Sequence, residues 1–256
     1  MIGPLIGMVH VGALPGSPRF GGDFEAVLTA AVADARALQE AGFDALLAEN
    51  FGDRPFFADD VPKVTVAAMA RALAEVRRAV GLPVGVNVLR NDARAALAVA
   101  AATGAAFIRV NVLAGTMATD QGVITGRAAE VARLRASLQV PVRVLADVFV
   151  KHAAPPAGLT LEQAAADTWE RAGADGLIIT GAGTGKAAAL EDVARARAAA
   201  PGAPLYVGSG VTAQTVASIL SVADGVIVGT ALKRDGMVGN PVDPERARAL
   251  VAAARG

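Results

Sequence analysis

Gly42-Phe-Asp-Ala-Leu-Leu-Ala-Glu49-Asn50 closes a helical stretch on glycine, runs through an apolar core and ends on a carboxylate and an amide. The same order recurs at Gly104-Ala-Ala-Phe-Ile-Arg109-Val-Asn111, Gly173-Ala-Asp-Gly-Leu-Ile-Ile-Thr180-Gly181 and Asp224-Gly225-Val-Ile-Val-Gly229-Thr230. Interleaved with these, four apolar runs start at proline: Pro4 to His10, Pro83 to Arg90, Pro141 to Asp147 and Pro204 to Gly210. Short apolar runs parted by Ala-rich helical stretches read as βα units feeding a parallel sheet. Eight such units in 256 residues predict one α/β domain over residues 1–256, a (β/α)8 TIM barrel. Its strands are expected near 5–10, 45–50, 84–89, 107–112, 142–148, 176–180, 204–208 and 225–229.

The helices between them carry their own punctuation. Asp23 is expected to cap the first, with Gly42 ending it in a left-handed turn. Pro62 suits the first turn of the second, and Asn91 or Asp92 caps the third. Further helices are expected over about 127–138, 160–172, 188–199, 212–222 and 243–254, with Thr160-Leu-Glu-Gln163 in the form of a capping box. Three connections exceed what a βα turn needs: residues 12–22, 52–60 and 114–122. All three follow strands, the side on which such barrels place binding loops.

Bulk composition excludes several function classes. The net charge is zero and the basic residues are scattered, which gives no nucleic-acid surface. No cysteine is present, so disulfides, thiolate metal sites and cysteine nucleophiles are excluded together. The expected location is the cytoplasm. No run approaches the roughly 18 apolar residues that a membrane span needs, and Met1-Ile-Gly-Pro4 lacks the basic start of a signal peptide. The expected partner is a small phosphorylated ligand, with homo-oligomerisation open.

The strand ends hold the chemistry. Gly208-Ser209-Gly210 after strand seven and Gly229-Thr230 after strand eight offer small residues and backbone N–H groups where this fold recurrently binds phosphate. Gly181-Ala-Gly-Thr-Gly185-Lys186 fails as a P-loop, because Thr180 stands at the first glycine position and Ala187 at the Ser/Thr position. Gly208-x-Gly210-x-x-Ala213 lies in the seventh unit rather than opening a dinucleotide fold. Asp147, Glu49, His10 and Lys151 are the candidate acid–base residues. By alternation, Lys151 is expected above Asp147 on the fifth strand. Asn87, Arg90, Arg109, Asn111, Thr180 and Gly181 are candidate substrate contacts. A metal would need His10, Glu49, Asp147 and His152, which lack ligand spacing and come from opposite sides of the mouth, so neither metal nor cofactor is expected.

Taken together, certain blocks resemble one family across essentially the whole chain. They are Val9-His10 with Leu14 to Arg19, Glu49 to Asp53 followed by Pro55-Phe56, Asn87 to Asp92, Phe107 to Asn111 and Asp120 to Gly122. Ala146-Asp147 with Val150 to His152, Thr180-Gly181 with Thr184-Gly185, Gly208 to Val211, and Val228 to Thr230 with Lys233 complete them. The chain is identified by these as similar to the BtpA (BtpA/SgcQ) family. The resemblance implies a ribulose-phosphate-binding barrel and supports a phosphate site. Members are labelled phosphoribosylanthranilate isomerase-like, or photosystem I biogenesis proteins after the cyanobacterial member. Others are associated with sugar-utilisation genes. Against true isomerases, this chain has Met8 and His10 on strand one instead of a cysteine base, while Asp147 matches the general acid. The expectation is an isomerase- or lyase-type enzyme on a small phosphorylated sugar or nucleoside-like ligand. The alternative is a non-catalytic factor in photosystem I or membrane biogenesis.

Overall fold

Strand alternation divides the apolar residues into two separate populations, and that division builds the molecule. In the computed structural model, which describes residues 2–181 and 190–256, eight parallel strands close into a barrel. They are β1 (Leu5–His10), β2 (Ala45–Glu49), β3 (Val84–Asn87), β4 (Phe107–Val110), β7 (Arg143–Val148), β9 (Gly176–Ile179), β10 (Leu205–Val207) and β11 (Gly225–Val228). Between β4 and β7 lies a hairpin, β5 (Thr116–Thr119) and β6 (Gly122–Thr125), which pairs with the two-residue strand β8 (Ala153–Ala154). The helices are α1 (Phe24–Ala41), α2 (Lys63–Ala79), α3 (Ala93–Thr103), α4 (Ala128–Leu138), α5 (Leu161–Ala166), α6 (Leu190–Ala199), α7 (Val216–Leu220) and α8 (Pro244–Arg255).

Inside the barrel, Ile6, Met8, Leu47, Phe107, Leu145, Ile178, Tyr206 and Ile227 form one buried cluster. The alternate residues of the same strands, such as Leu5, Val9, Leu46, Val86, Ile108 and Val144, join the larger core under the helices. Two faces buried on every strand is what a covered parallel sheet requires. Phe107 is fully buried, and Gly85 makes room for it: a Cβ there would stand 2.3 Å from the ring. Continuing the inward period past the apolar layer brings His10, Glu49, Asn87, Arg109, Asp147, Thr180, Gly208 and Gly229 to the C-terminal mouth. Register levels three of them, with His10 paired to Glu49 and Glu49 to Asn87.

Several expected caps are present. The Asp23 carboxylate accepts from Ala26 N at 2.9 Å, and Gly42 takes φ 97° at the end of α1. Asp92, not Asn91, caps α3. Thr160 and Gln163 form both halves of the capping box. Other boundaries differ from expectation. Pro62 sits just ahead of α2 rather than in its first turn. After α5 the chain continues as one π-helical stretch, Asp167–Arg171. The helix expected from Thr212 is only Val216–Leu220, because Thr212 and Thr215 bond each other in a turn that occupies its start. The expected loop 114–122 is mostly strand: β-branched residues pair across a two-residue turn closed by Gly122 at φ 93°. The glycine-rich Gly183-Thr184-Gly185-Lys186 stretch, Ala187 and the expected helix start at Ala188 lie outside the described residues.

Candidate functional site

The mouth of the barrel holds two cavities that share a wall. The first, about 160 Å³, is lined by His10, Glu49, Arg109, Lys151, Gly208, Ser209, Gly210, Gly229 and Thr230, among others. The second, about 350 Å³, is lined by residues that include Glu49, Arg90, Asn111 and Lys151. Glu49, Phe51 and Lys151 face both. Every expected anion-corner residue therefore meets three of the expected acid–base residues in one space.

The corner itself is shaped by missing side chains. A Cβ on Gly208 would stand 2.7 Å from Ile178 Cγ2, and one on Gly229 would stand 2.9 Å from His10 Cε1. Gly210 has φ 70°, a left-handed conformation that glycine adopts without steric cost. Beside this corner, His10 packs on Phe51 with ring centroids 4.7 Å apart, and its Nδ1 is buried without a hydrogen-bond partner. Burial, then the cations Lys233, Lys151, Arg54 and Arg109, hold the imidazole well below its ordinary pKa. At neutral pH His10 is thus uncharged.

Glu49 is buried, and its Oε2 accepts from Asn87 Nδ2 at 2.8 Å. Asn87 is behind the carboxylate and orients it. Lys151 makes no ion pair within 4 Å among the described residues. Burial and then Arg109 lower its pKa, against the pull of Glu49 and Asp147.

Asp147 departs from the expected arrangement. The chain leaves β7 after Val148, and Phe149 takes φ 55°, so the alternation that would stack Lys151 above Asp147 is broken. Asp147 is instead clasped by Arg109 from β4, through Nε at 2.9 Å and Nη2 at 2.8 Å, with Asn111 Nδ2 at 3.0 Å. The two charged side chains are 2% and 0% exposed. Burial works against the Arg109 charge, but Asp147 outweighs it and raises the guanidinium pKa. Asp147 lines neither cavity, which suits positioning Arg109 and Asn111 better than proton transfer. Thr180 donates to the Phe149 carbonyl at 3.2 Å, and neither Thr180 nor Gly181 lines either cavity.

Loop residues outside the candidate acid–base and ligand-contact set support and complete the site. Asn50 and Asp53, from the turn after β2, tie three loops together. Asn50 Oδ1 accepts from Leu89 N at 2.7 Å, and Asn50 Nδ2 donates to Asp53, which also accepts from Leu14 N at 2.8 Å. Burial raises the Asp53 pKa against that backbone bond. Asn91 clamps Val112 at the exit of β4 through both ends of its amide. Arg54, Phe56, Asp120 and Gln121 line the larger cavity. Phe56, Asp120 and Gln121 stood in blocks that carried the family resemblance and Arg54 did not, and no spacing rule assigns a role to a loop residue whose position depends on tertiary packing. Among the described residues no group of three or more His, Asp or Glu side chains could hold a metal ion.

The BtpA family model matches residues 1–256. The chain belongs to the BtpA family. Among its relatives, it is 46% identical over 250 residues to the photosystem I biogenesis protein BtpA of Synechocystis, covering 98% of this chain and 87% of that one. An uncharacterized protein of Thermococcus kodakarensis is 49% identical over 254 residues, covering 98% and 95%. Among solved structures, N-(5'-phosphoribosyl)anthranilate isomerase from Pyrococcus furiosus superposes with a TM-score of 0.59 at 15% identity, over 98% of both chains. Tryptophan synthase from M. tuberculosis gives 0.62 at 22% identity, over 99% and 93%. At such identities the likeness establishes the TIM-barrel fold that this BtpA-family chain shares with them. No helix among the described residues is long and apolar enough to cross a membrane.

Proposed function

We propose that this BtpA-family protein is an enzyme that binds a small phosphorylated sugar or nucleoside-like ligand and moves a proton on it. The observation that carries this reading is the first cavity, where a corner of glycines and small residues at the ends of β10 and β11 opens onto Glu49, His10 and Lys151. In this reading the phosphate is held by backbone N–H groups of Ser209, Gly210, Gly229 and Thr230, as at other barrels of this architecture. Gly208, expected from the sequence to donate as well, spends its N–H on the Ile179 carbonyl at 2.9 Å and contributes only the space its missing side chain leaves. Glu49, oriented by Asn87, takes a proton from the carbon or hydroxyl next to the reacting carbonyl. Lys151 hydrogen-bonds the developing oxyanion, the protonated Glu49 returns its proton to the neighbouring atom, and neutral His10 hydrogen-bonds the reacting oxygen without changing its own protonation. The division of labour suits the environments: a carboxylate that takes and then returns the proton, an ammonium for negative charge, and an imidazole that stays uncharged. The phosphorylated substrate in the name of the Pyrococcus furiosus isomerase is in keeping with this reading. The alternative, a non-catalytic biogenesis factor, draws only on the name of the Synechocystis relative.

The test is isotope exchange. Ribose 5-phosphate and ribulose 5-phosphate, with a panel of phosphorylated aldoses and ketoses, are incubated with the protein in D2O and followed by proton NMR. Deuterium should enter the carbon beside the carbonyl of at least one, and Glu49→Gln should slow this by about a hundredfold or more. Absence of exchange across the panel, or exchange undiminished in Glu49→Gln, would overturn the assignment.

A further inference from the structure

The larger cavity carries positive charge that its walls do not balance. Arg54, Arg90 and Lys151 line it, and none makes an ion pair within 4 Å among the described residues. Arg90 is 5% exposed, and its Nη2 donates to a neutral group, the Lys151 carbonyl, at 2.5 Å. The Arg54 guanidinium lies 4.0 Å over the Phe51 ring, while its Nε is buried without a hydrogen-bond partner. Two carboxylates also line the cavity, Glu49 bonded by Asn87 and Asp120 by Gln121, and both attract Arg90, so three cations face two anions and one positive charge stays unmatched. Asn111, 2% exposed, spends its amide N–H on Asp147 and leaves Oδ1 unpartnered. Arg90 is buried and Arg54 and Lys151 are half-buried, and an excess of cations at such a partly desolvated site is relieved when an anion joins them. The planar fork of arginine matches a carboxylate or phosphate in particular. Phe51 and Phe56 supply an aromatic wall beside the charges.

This cavity shares Glu49, Phe51 and Lys151 with the phosphate corner, so one extended ligand can occupy both. We propose that the ligand is bis-anionic: a phosphate in the glycine corner and, at its other end, a carboxylate or second phosphate held by Arg54 and Arg90. Lys151 lies between the two anions and faces the reacting centre. The proposal rests on the phosphate reading of the preceding section and adds the chemistry of the far end.

Calorimetric titration of the full chain separates the two claims. The probes are ribitol 5-phosphate, with one anion, 6-phosphogluconate, with a carboxylate added, and ribulose 1,5-bisphosphate, with a phosphate added. At least one bis-anion should bind about tenfold tighter or more than ribitol 5-phosphate, and which one identifies the second group. Arg54→Gln should erase that advantage while leaving ribitol 5-phosphate unchanged, and Arg54→Lys should recover part of it. If ribitol 5-phosphate binds and neither bis-anion improves on it, the bis-anion inference falls alone. The same holds if Arg54→Gln, with an unchanged melting temperature, leaves the advantage intact. If no phosphorylated probe binds, both readings fall.

Discussion

Arg109 and Asp147 lie on adjacent strands and hold each other through two parallel hydrogen bonds of 2.9 and 2.8 Å, sealed from solvent. A pair this deep is expensive to break from one side, because the survivor is left buried and charged. Asp147→Asn should therefore lower stability by about 3–5 kcal/mol, a fall in melting temperature of about 6–20 °C for a chain of this size. Thermal unfolding followed by circular dichroism is the check. A melting temperature within a degree or two of wild type would return Asp147 to the list of proton-transfer residues.

A second buried pair anchors the C-terminal segment. Lys233 is 1% exposed and bonds Asp34 of α1 at 2.5 Å, while Asp34 also accepts from Val242 N at 2.7 Å. Asp34→Ala should cost about 3–5 kcal/mol, and adding Lys233→Met should recover part of the loss by removing the stranded charge. Urea denaturation of the single and double variants measures both, and equal losses in the two would contradict the account.

Gly229 is where the corner packs against His10. Gly229→Ala places a Cβ about 2.9 Å from the His10 ring, so the ring must shift. The expected result is a loss of about 1–3 kcal/mol in stability from overpacking and at least about a tenfold weaker affinity for inorganic phosphate. Titration calorimetry reads the second effect, and unchanged phosphate affinity would place the anion elsewhere.

The acid side of the stability profile reports on His10. Its folded pKa lies below the unfolded value of about 6.5, so between the two the unfolded chain binds more protons and stability falls as pH falls. The contribution is present above about 6.5, is lost on going down towards the folded pKa, and has a slope of at most about 1.4 kcal/mol per pH unit. His10→Asn should flatten the wild-type curve in that window. In wild-type protein the His10 ring protons should show no inflection near pH 6.5 by NMR, and one there would refute the buried neutral imidazole.

The sequence by itself determined the fold and the ring of candidate residues. Eight apolar runs with a period of two decide which side chains point inward, and extending that period by one step places His10, Glu49, Asn87, Arg109, Gly208 and Gly229 at the mouth. Caps such as Asp23, Gly42 and Thr160 were legible because their hydrogen bonds reach only a few residues along the chain. Tertiary structure decided what lies beyond local reach. The partner of Asp147 came from another strand and not from Lys151, since a left-handed residue at Phe149 interrupts the period that would have paired them. The Asp120–Gln121 turn and Arg54 reach the second cavity only because a hairpin folds across and Asn50 and Asp53 fix the loop after β2. Which charges share a low-dielectric space is set by contacts between residues 38 and 61 positions apart, and periodicity does not encode such contacts.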